Sequence, residues 1–458
     1  MARSFDTVLI ANRGEIAVRI IRACREAGLK TVQAYSSADA DTLPVRMADE
    51  AVLIGGPKPA ESYLNTGALL QAAAQAGAGA VHPGYGFLSE NADFADAVVA
   101  AGLVYIGPQA EIIRMMGDKV RARQCAKQAG VPVIPGSEGV VSTEAEALAV
   151  AAEIGYPVLI KAAAGGGGRG MRVAQDASEL RDKLAGAMNE AQAAFGSREV
   201  YLEKFLERIR HIEVQVAGDG NEVIHLGDRD CSIQRRHQKL LEEGPAVALD
   251  HALQEEIRLS ARTLAASIGY RNVGTVEFIV EPRSRQFYFI EMNTRIQVEH
   301  PVTELLTGVD LVKMQLAIAA GLPLSVRQED VRLHGHAIEL RINAENPAKG
   351  FIPCAGRITE FAMPSGPGVR VDTHAYAGYE LPPYYDSLLA KLLVWGRDRE
   401  EALDRLRRAL DEARIEGIAT TLAFHRQLLR EGDFLRNDTH TRFIKEHMYG
   451  KHPMRHLL

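Results

Sequence analysis

Residues Gly274–His300 read GTVEFIVEPRSRQFYFIEMNTRIQVEH. The β-prone segments Val276–Val280 and Gln286–Ile290 flank the polar turn EPRSR, the pattern of an antiparallel hairpin. With the turn centred on Ser284, Glu277 and Glu291 each lie seven residues away and stand opposite one another. Cross-strand neighbours have Cβ atoms about 4.5–5.5 Å apart. Two carboxylates at that distance repel, so one takes up a proton or both share a cation. Oxygen ligands suit Mg2+ or Mn2+ rather than zinc. Asn293, two residues beyond Glu291 on the same side, adds a neutral oxygen. The competing reading is a solvated pair on an exposed face, which a one-residue slip of register would produce.

The polar pattern continues past the hairpin. Asn293, Arg295, Gln297 and Glu299 alternate with Thr294, Ile296 and Val298, which puts the polar groups on one face of an extended segment. A solvated edge strand has the same pattern, but this one starts at the carboxylate pair. Glu299 is therefore a candidate general base, and Arg295 a candidate for binding an oxyanion.

Working towards the N-terminus, TVLIA (Thr7–Ala11) is a short strand, and the helical segment after it carries Ile16, Ile20, Ile21 and Cys24 on one face. KTVQAYSS is a second strand, and the alternation recurs at Ala80–Val81 and Val104–Ile106, which argues for a parallel α/β sheet. The NRGE junction has one glycine where a dinucleotide fingerprint needs three. Further on, YPVLIKAAAGGGGRGMRVA (Tyr156–Ala174) reads as strand, glycine loop, strand. A glycine run is costly in folding entropy, but bare backbone amides can wrap an anion closely. The loop lacks the GK[ST] ending of a Walker motif, so a lid over phosphates, with Lys161 beside it, fits better; a flexible hairpin turn is the plain alternative.

From Val200 to about Ile290 strands predominate. Within them DRDCSIQRRHQK (Asp228–Lys239) concentrates cationic and amide side chains suited to an anion in a cleft. Cys231 lies there, but sequence places no partner base beside it. Gly308–Gly321 returns to helix, short strands and turns follow from His336, and Arg399–Ile415 is a strongly amphipathic helix.

The composition agrees with an enzyme. The 458 residues are 47% hydrophobic and 24% charged, a globular balance with room for about three domains. A net charge of −6 provides no basic field for nucleic acid or an anionic membrane, and aromatics at 6% offer few platforms for stacking bases. No apolar run reaches the roughly 18 residues of a membrane span. The cysteines at 24, 125, 231 and 354 have no close spacing that would suggest a disulfide framework or a zinc cage. The N-terminus MARSFDTVLIANRGE lacks the pattern of a secretory signal, so a cytoplasmic location is expected.

Six segments together closely resemble the biotin carboxylases of the ATP-grasp superfamily: ANRGEIAVRIIRAC, HPGYGFLSEN, MGDK, IKAAAGGGGRGMR, DRDCSIQRRHQK and FIEMNTRIQVEHPVTE. The resemblance runs from Val8 past Pro382–Ser387. It implies an α/β and α+β ATP-grasp fold: an N-terminal Rossmann-like domain (1–115), an ATP-grasp domain (116–330) with a lid at about 133–203, and a C-terminal α+β domain (331–458).

The resemblance also assigns roles residue by residue. Lys119, Lys161, Gly167, Gly168, His211, Gln234 and His237 would meet ATP, with Glu203, Lys204, Phe205 and Leu206 as the adenine hinge. Glu277, Glu291 and Asn293 match the metal ligands, and the two glutamates also face the nucleotide. Lys239, Arg295, Gln297 and Val298 match the bicarbonate pocket and Glu299 its base, while Tyr85 and Arg341 match the biotin side. One departure is Ala163–Ala164, where the family usually has serine and a further glycine.

The implied activity is ATP-dependent carboxylation of biotin with bicarbonate and Mg2+ or Mn2+, through carboxyphosphate. It would be the first half-reaction of acetyl-CoA carboxylase, with an acyl-CoA, pyruvate or urea carboxylase, or an ATP-grasp carboxylate–amine ligase, as alternatives. The implied partners are a biotin carboxyl carrier protein, carboxyltransferase subunits and a second copy of the chain. VKMQLAI (Val312–Ile318) lacks the first methionine of a biotin-attachment signal, so biotin is expected on a separate protein.

Overall fold

The computed structural model describes residues 4–162, 172–195 and 198–448. The first sheet contains β1 (Thr7–Ile10), β2 (Lys30–Ser36), β3 (Glu50–Gly55), β4 (Ala80–His82) and β5 (Val104–Tyr105) in the order β3-β2-β1-β4-β5. Every pairing is parallel. Helix α1 (Gly14–Glu26) packs Ile16, Ile20, Ile21 and Cys24 with Val8 and Ile10 of β1, as their spacing predicts.

The strand order reverses between β1 and β4, which leaves a crevice beyond their C-terminal ends. Asn12 closes that point by donating to the carbonyls of Pro83 and Tyr85, each at 2.7 Å. Gly84, with φ +63°, passes so near that a side chain there would collide with Asn12.

A second, small sheet of β6 (Val158–Ala162), β7 (Arg172–Ala174) and β8 (Val200–Lys204) has the order β7-β6-β8 and is antiparallel. It has its own core, in which Val158, Ile160 and Leu202 meet Leu180 and Leu184 of helix Ala177–Phe195. The glycine run between β6 and β7, with Gly167, Gly168, Ala163 and Ala164, lies outside the described residues.

The largest sheet has eight strands. β9 (Arg210–Asp219), β10 (Val223–Arg235), β11 (Gln238–Gly244), β12 (Arg271–Glu281), β13 (Gln286–Asn293) and β14 (His336–Asn343) are joined by the strands Leu388–Gly396 and Val369–Thr373. The order is β13-β12-β9-β10-β11-β14, then Leu388–Gly396 and Val369–Thr373, so one sheet runs across the expected boundary at residue 330. Its apolar face, including Ile212, Val214, Val276 and Phe278, packs under Leu253, Ile257, Ala261 and Leu264 of helix His251–Ser267. Burying each such Ile, Leu or Phe contributes about 1.5–3 kcal/mol. Strands predominate from Val200 to Ile290, as expected, and that helix interrupts them.

Glu277 does pair with Glu291. The hairpin turn is not centred on Ser284, because Glu281 pairs with Gln286 and the centre falls half a residue earlier. A bulge between Glu277 and Phe278 shifts the register, and the extra residue on the partner strand is the exposed Ile290. β13 then ends at Asn293, and residues 294–299 belong to no strand, with a bend at Arg295 and a turn at Val298–Glu299. Among the described residues no helix is long and apolar enough to cross a membrane, and Cys24, Cys125, Cys231 and Cys354 are unpaired.

Candidate active site

The second face of the large sheet is polar and largely buried. β9 contributes His211, Glu213 and Gln215 at alternate positions, and Glu277 of β12 pairs with Glu213. β10 turns into β11 through Arg236 and His237, both in the left-handed region at φ +50° and +66°. Non-glycine residues are rarely held there without a local cause. The turn brings Lys239 over the sheet, where its ammonium donates to Glu213, to Glu277 at 2.9 Å and to Glu299 at 2.6 Å.

Arg229 lies wholly buried beneath, bonded to Glu213, Gln215, Thr303 and Gln297. Arg341 of β14 donates to Glu242 at 2.6 Å and to Glu299 at 2.9 Å. Burial would raise the Glu299 carboxyl, but Lys239, Arg341 and Arg229 outweigh it and hold Glu299 well below the usual range. For Glu242 burial wins over Arg341, with the Glu299 charge adding to it, and its carboxyl is pushed up to about 7. Burial opposes the charge on Lys239, yet the surrounding glutamates keep its pKa well above the ordinary value.

On the hairpin side, Glu277 accepts from Lys239, Asn293 (2.9 Å) and Gln297 (2.8 Å), and its second oxygen lies 2.6 Å from His211 Nε2. Gln234 lies 3.2 Å from the other His211 nitrogen. The opposing Glu291 carboxyl is raised by its surroundings and by the Glu277 charge, partly offset by Lys119. Lys119, Glu291 and Asn293 line a cavity of about 200 Å³. Two facing carboxylates and an amide suit a hard divalent cation, which would offset both the burial and the Glu277 charge that raise the Glu291 carboxyl. Arg295 takes a different direction, donating to Asn293 at 2.8 Å and pairing with Glu90 at 3.0 Å.

A larger cavity of about 500 Å³ gathers Tyr85, Lys239, Val298 and Arg341, walled by Asn12–Glu15 at the crevice of the first sheet and by Tyr384–Leu388. Thus Gln297 and Glu299 meet the Glu277 and Lys239 cluster although they lie on no strand, whereas Arg295 does not join it. Lys161 and Glu203 pair with each other inside the small sheet. The Lys204 ammonium donates to the carbonyls of Gly155 and Tyr156, and the Lys204 and Phe205 amides donate to Pro135 and Pro157. Leu206 follows at the end of that strand. Cys231 is fully buried and burial raises its thiol pKa, so it is not a ready nucleophile.

Sequence reading missed Glu213, Arg229 and Glu242. For Glu213 a signal was present, since RHIEVQV alternates His211, Glu213 and Gln215 with Ile212, Val214 and Val216.

Residues 4–113 match the family described as "Biotin carboxylase, N-terminal domain", residues 118–327 the "Carbamoyl-phosphate synthase L chain, ATP binding domain", and residues 339–446 the "Biotin carboxylase C-terminal domain". A biotin carboxylase of Nostoc sp. is 54% identical over 96% of this chain and 99% of its own length. A pyruvate carboxylase subunit from Methanothermobacter thermautotrophicus is 52% identical over 97% of this chain and 91% of its own. Among solved structures, the biotin carboxylase domain dimer of Hydrogenobacter thermophilus 2-oxoglutarate carboxylase, in complex with MgADP, ADP and bicarbonate, superposes with a TM-score of 0.89. It is 48% identical, over 98% of this chain and 99% of that one.

Proposed function

The chain belongs to the biotin carboxylase family, and from that premise we propose how its own residues carboxylate biotin with bicarbonate and ATP. The observation that carries the reading is Glu299, buried and bonded to Lys239 and Arg341, which both line the larger cavity. Glu299 is ionised, so it is ready to take the proton of bicarbonate, and Lys239, Arg295, Gln297 and the Val298 backbone hold that anion. The bicarbonate oxygen then attacks the γ-phosphoryl group of ATP while the bond to the β-phosphate oxygen breaks and ADP leaves. The carboxyphosphate formed breaks down to CO2 and phosphate, the phosphate takes the N1 proton of biotin, and N1 attacks the CO2.

Lys119, Lys161, Gly167, Gly168, His211, Gln234 and His237 hold the nucleotide, with Glu203–Leu206 at its base. Glu277, Glu291 and Asn293 would hold Mg2+ or Mn2+, which when bound neutralises phosphate charge. Arg341 donates to the ureido oxygen of biotin as it becomes enolate-like, and Tyr85 lines the same wall.

The domain division at 115 and 330, a lid at about 133–203, a homodimer and work in the cytoplasm belong to the same proposal. A separate core in the small sheet supports the lid, and the dimer described for the Hydrogenobacter domain supports the assembly. Biotin arrives on a carrier protein, and a carboxyltransferase passes the carboxyl group to the acceptor. Acetyl-CoA is the acceptor proposed. Reconstitution with the carrier and carboxyltransferase of the same cell should give malonyl-CoA, and product from pyruvate alone would replace that assignment.

The test of the activity is ADP release by purified protein with Mg2+. Dependence on bicarbonate and stimulation by free biotin are expected. Stimulation by an amine with no effect of biotin would favour an ATP-grasp carboxylate–amine ligase instead.

A further inference from the structure

Below the larger cavity lies a second ionic group that the reaction as proposed does not use. Lys391, on the strand Leu388–Gly396, is completely buried and pairs across the sheet with Arg341. Its ammonium donates to the Val298 carbonyl at 2.9 Å and lies 3.0 Å from Glu15 and 3.8 Å from Asp372. Glu15, in the first turn of α1, is buried and accepts the hydroxyl hydrogen bond of Tyr85. Burial alone would discharge this lysine, but its acidic neighbours, Glu15 foremost, outweigh burial and raise its pKa.

These contacts join two walls of one cavity. The Val298 carbonyl belongs to the peptide that links Val298 to Glu299, so the bond from Lys391 fixes how that peptide presents both residues. Glu299 is also the residue at which helix His300–Thr307 begins, so a tilt of this peptide would move the carboxylate. On the opposite wall the same ammonium anchors Glu15, and Glu15 anchors Tyr85. A buried ion pair kept for stability alone gains little over apolar side chains of the same size. One shared by two functional walls has a different use, because a site works only when its supporting groups are locked.

We propose that Lys391 is a positioning residue for carboxylation, its ammonium holding the Val298–Glu299 peptide on the bicarbonate side and the Glu15–Tyr85 pair on the biotin side. This rests on the function proposed above. Wild-type ADP release that ignores bicarbonate and biotin would overturn that function, whereas the Lys391 inference is decided by how KM values divide among variants.

Lys391→Met should raise KM for bicarbonate and for biotin tenfold or more while KM for ATP stays within twofold. Glu15→Gln leaves the bond to Val298 in place, so it should raise KM for biotin and leave KM for bicarbonate near the wild-type value. The double variant should match Lys391→Met for bicarbonate. If Lys391→Met does not fold, Lys391→Gln keeps N–H donors but not the charge and should raise KM for biotin more than KM for bicarbonate. Unchanged KM values in a folded Lys391 variant would overturn the inference. So would a rise in KM for ATP as large as the other two, which marks general loosening of the structure.

Discussion

Replacing Arg341 with serine separates biotin chemistry from ATP chemistry. The guanidinium bonds Glu242 and Glu299, and its side chain is only 17% exposed. Loss of a donor aimed at a developing oxyanion costs about 3 kcal/mol at the transition state, or roughly 100-fold in rate. Breaking a buried pair commonly costs about 3–5 kcal/mol in stability, but two features reduce that figure here. Glu242, with a pKa of about 7, can take up a proton when its cation is lost, and Glu299 keeps its bond to Lys239. The expected stability loss is therefore nearer 2 kcal/mol, visible in urea unfolding without loss of the native state. The assay compares biotin carboxylation with the slow ATP hydrolysis that proceeds without biotin, at saturating ATP and bicarbonate. Carboxylation should fall about 100-fold and biotin-independent hydrolysis less than about tenfold. An equal fall in both would show that Arg341 serves bicarbonate or the fold, and would refute its assignment to biotin.

Glu291→Gln removes a charge that faces Glu277, so thermal stability should hold or rise, while the Mg2+ concentration for half-maximal ATP turnover rises at least about tenfold. An unchanged Mg2+ titration would remove Glu291 from the metal site. Burial holds His82 and His374 down at about 3 and His425 at about 4. These groups stay neutral when folded and become charged when unfolded below about 6.5, so their contribution is complete above that pH and is lost as pH falls towards the folded values. At pH 5 each should cost about 2 kcal/mol, and urea midpoints that do not drop between pH 7.5 and 5 would contradict this. Cys231 should resist iodoacetamide at pH 8 in the native protein, since it is buried and its thiol pKa is raised well above normal. Rapid labelling at that residue, read by peptide mass, would show otherwise.

The hairpin that sets the carboxylate pair was legible because alternation of apolar and polar residues has the same period as a strand. Its register was reached through a turn centre that is half a residue wrong, and the bulge at Ile290 restores the pairing. A bulge adds a residue without altering the alternation on either side enough to reveal itself. The convergence of Gln297 and Glu299 on the Glu277 and Lys239 cluster was legible only as polarity, since the path of the chain after Asn293 depends on contacts with distant strands. Lys391 was unreadable for a related reason. In LLAKLLVW a lone lysine looks like an exposed position, and only helix α1 and the neighbouring strands β14 and Val369–Thr373 bring its acidic partners to it.

The most direct test follows the carbon. Incubated with Mg2+, ATP, free biotin and isotopically labelled bicarbonate, the protein should form acid-labile carboxybiotin in step with ADP, and Glu299→Gln should abolish both together. ADP released with no label on biotin, or labelled biotin undiminished in Glu299→Gln, would contradict the assignment of Glu299 as the base of a biotin carboxylation site.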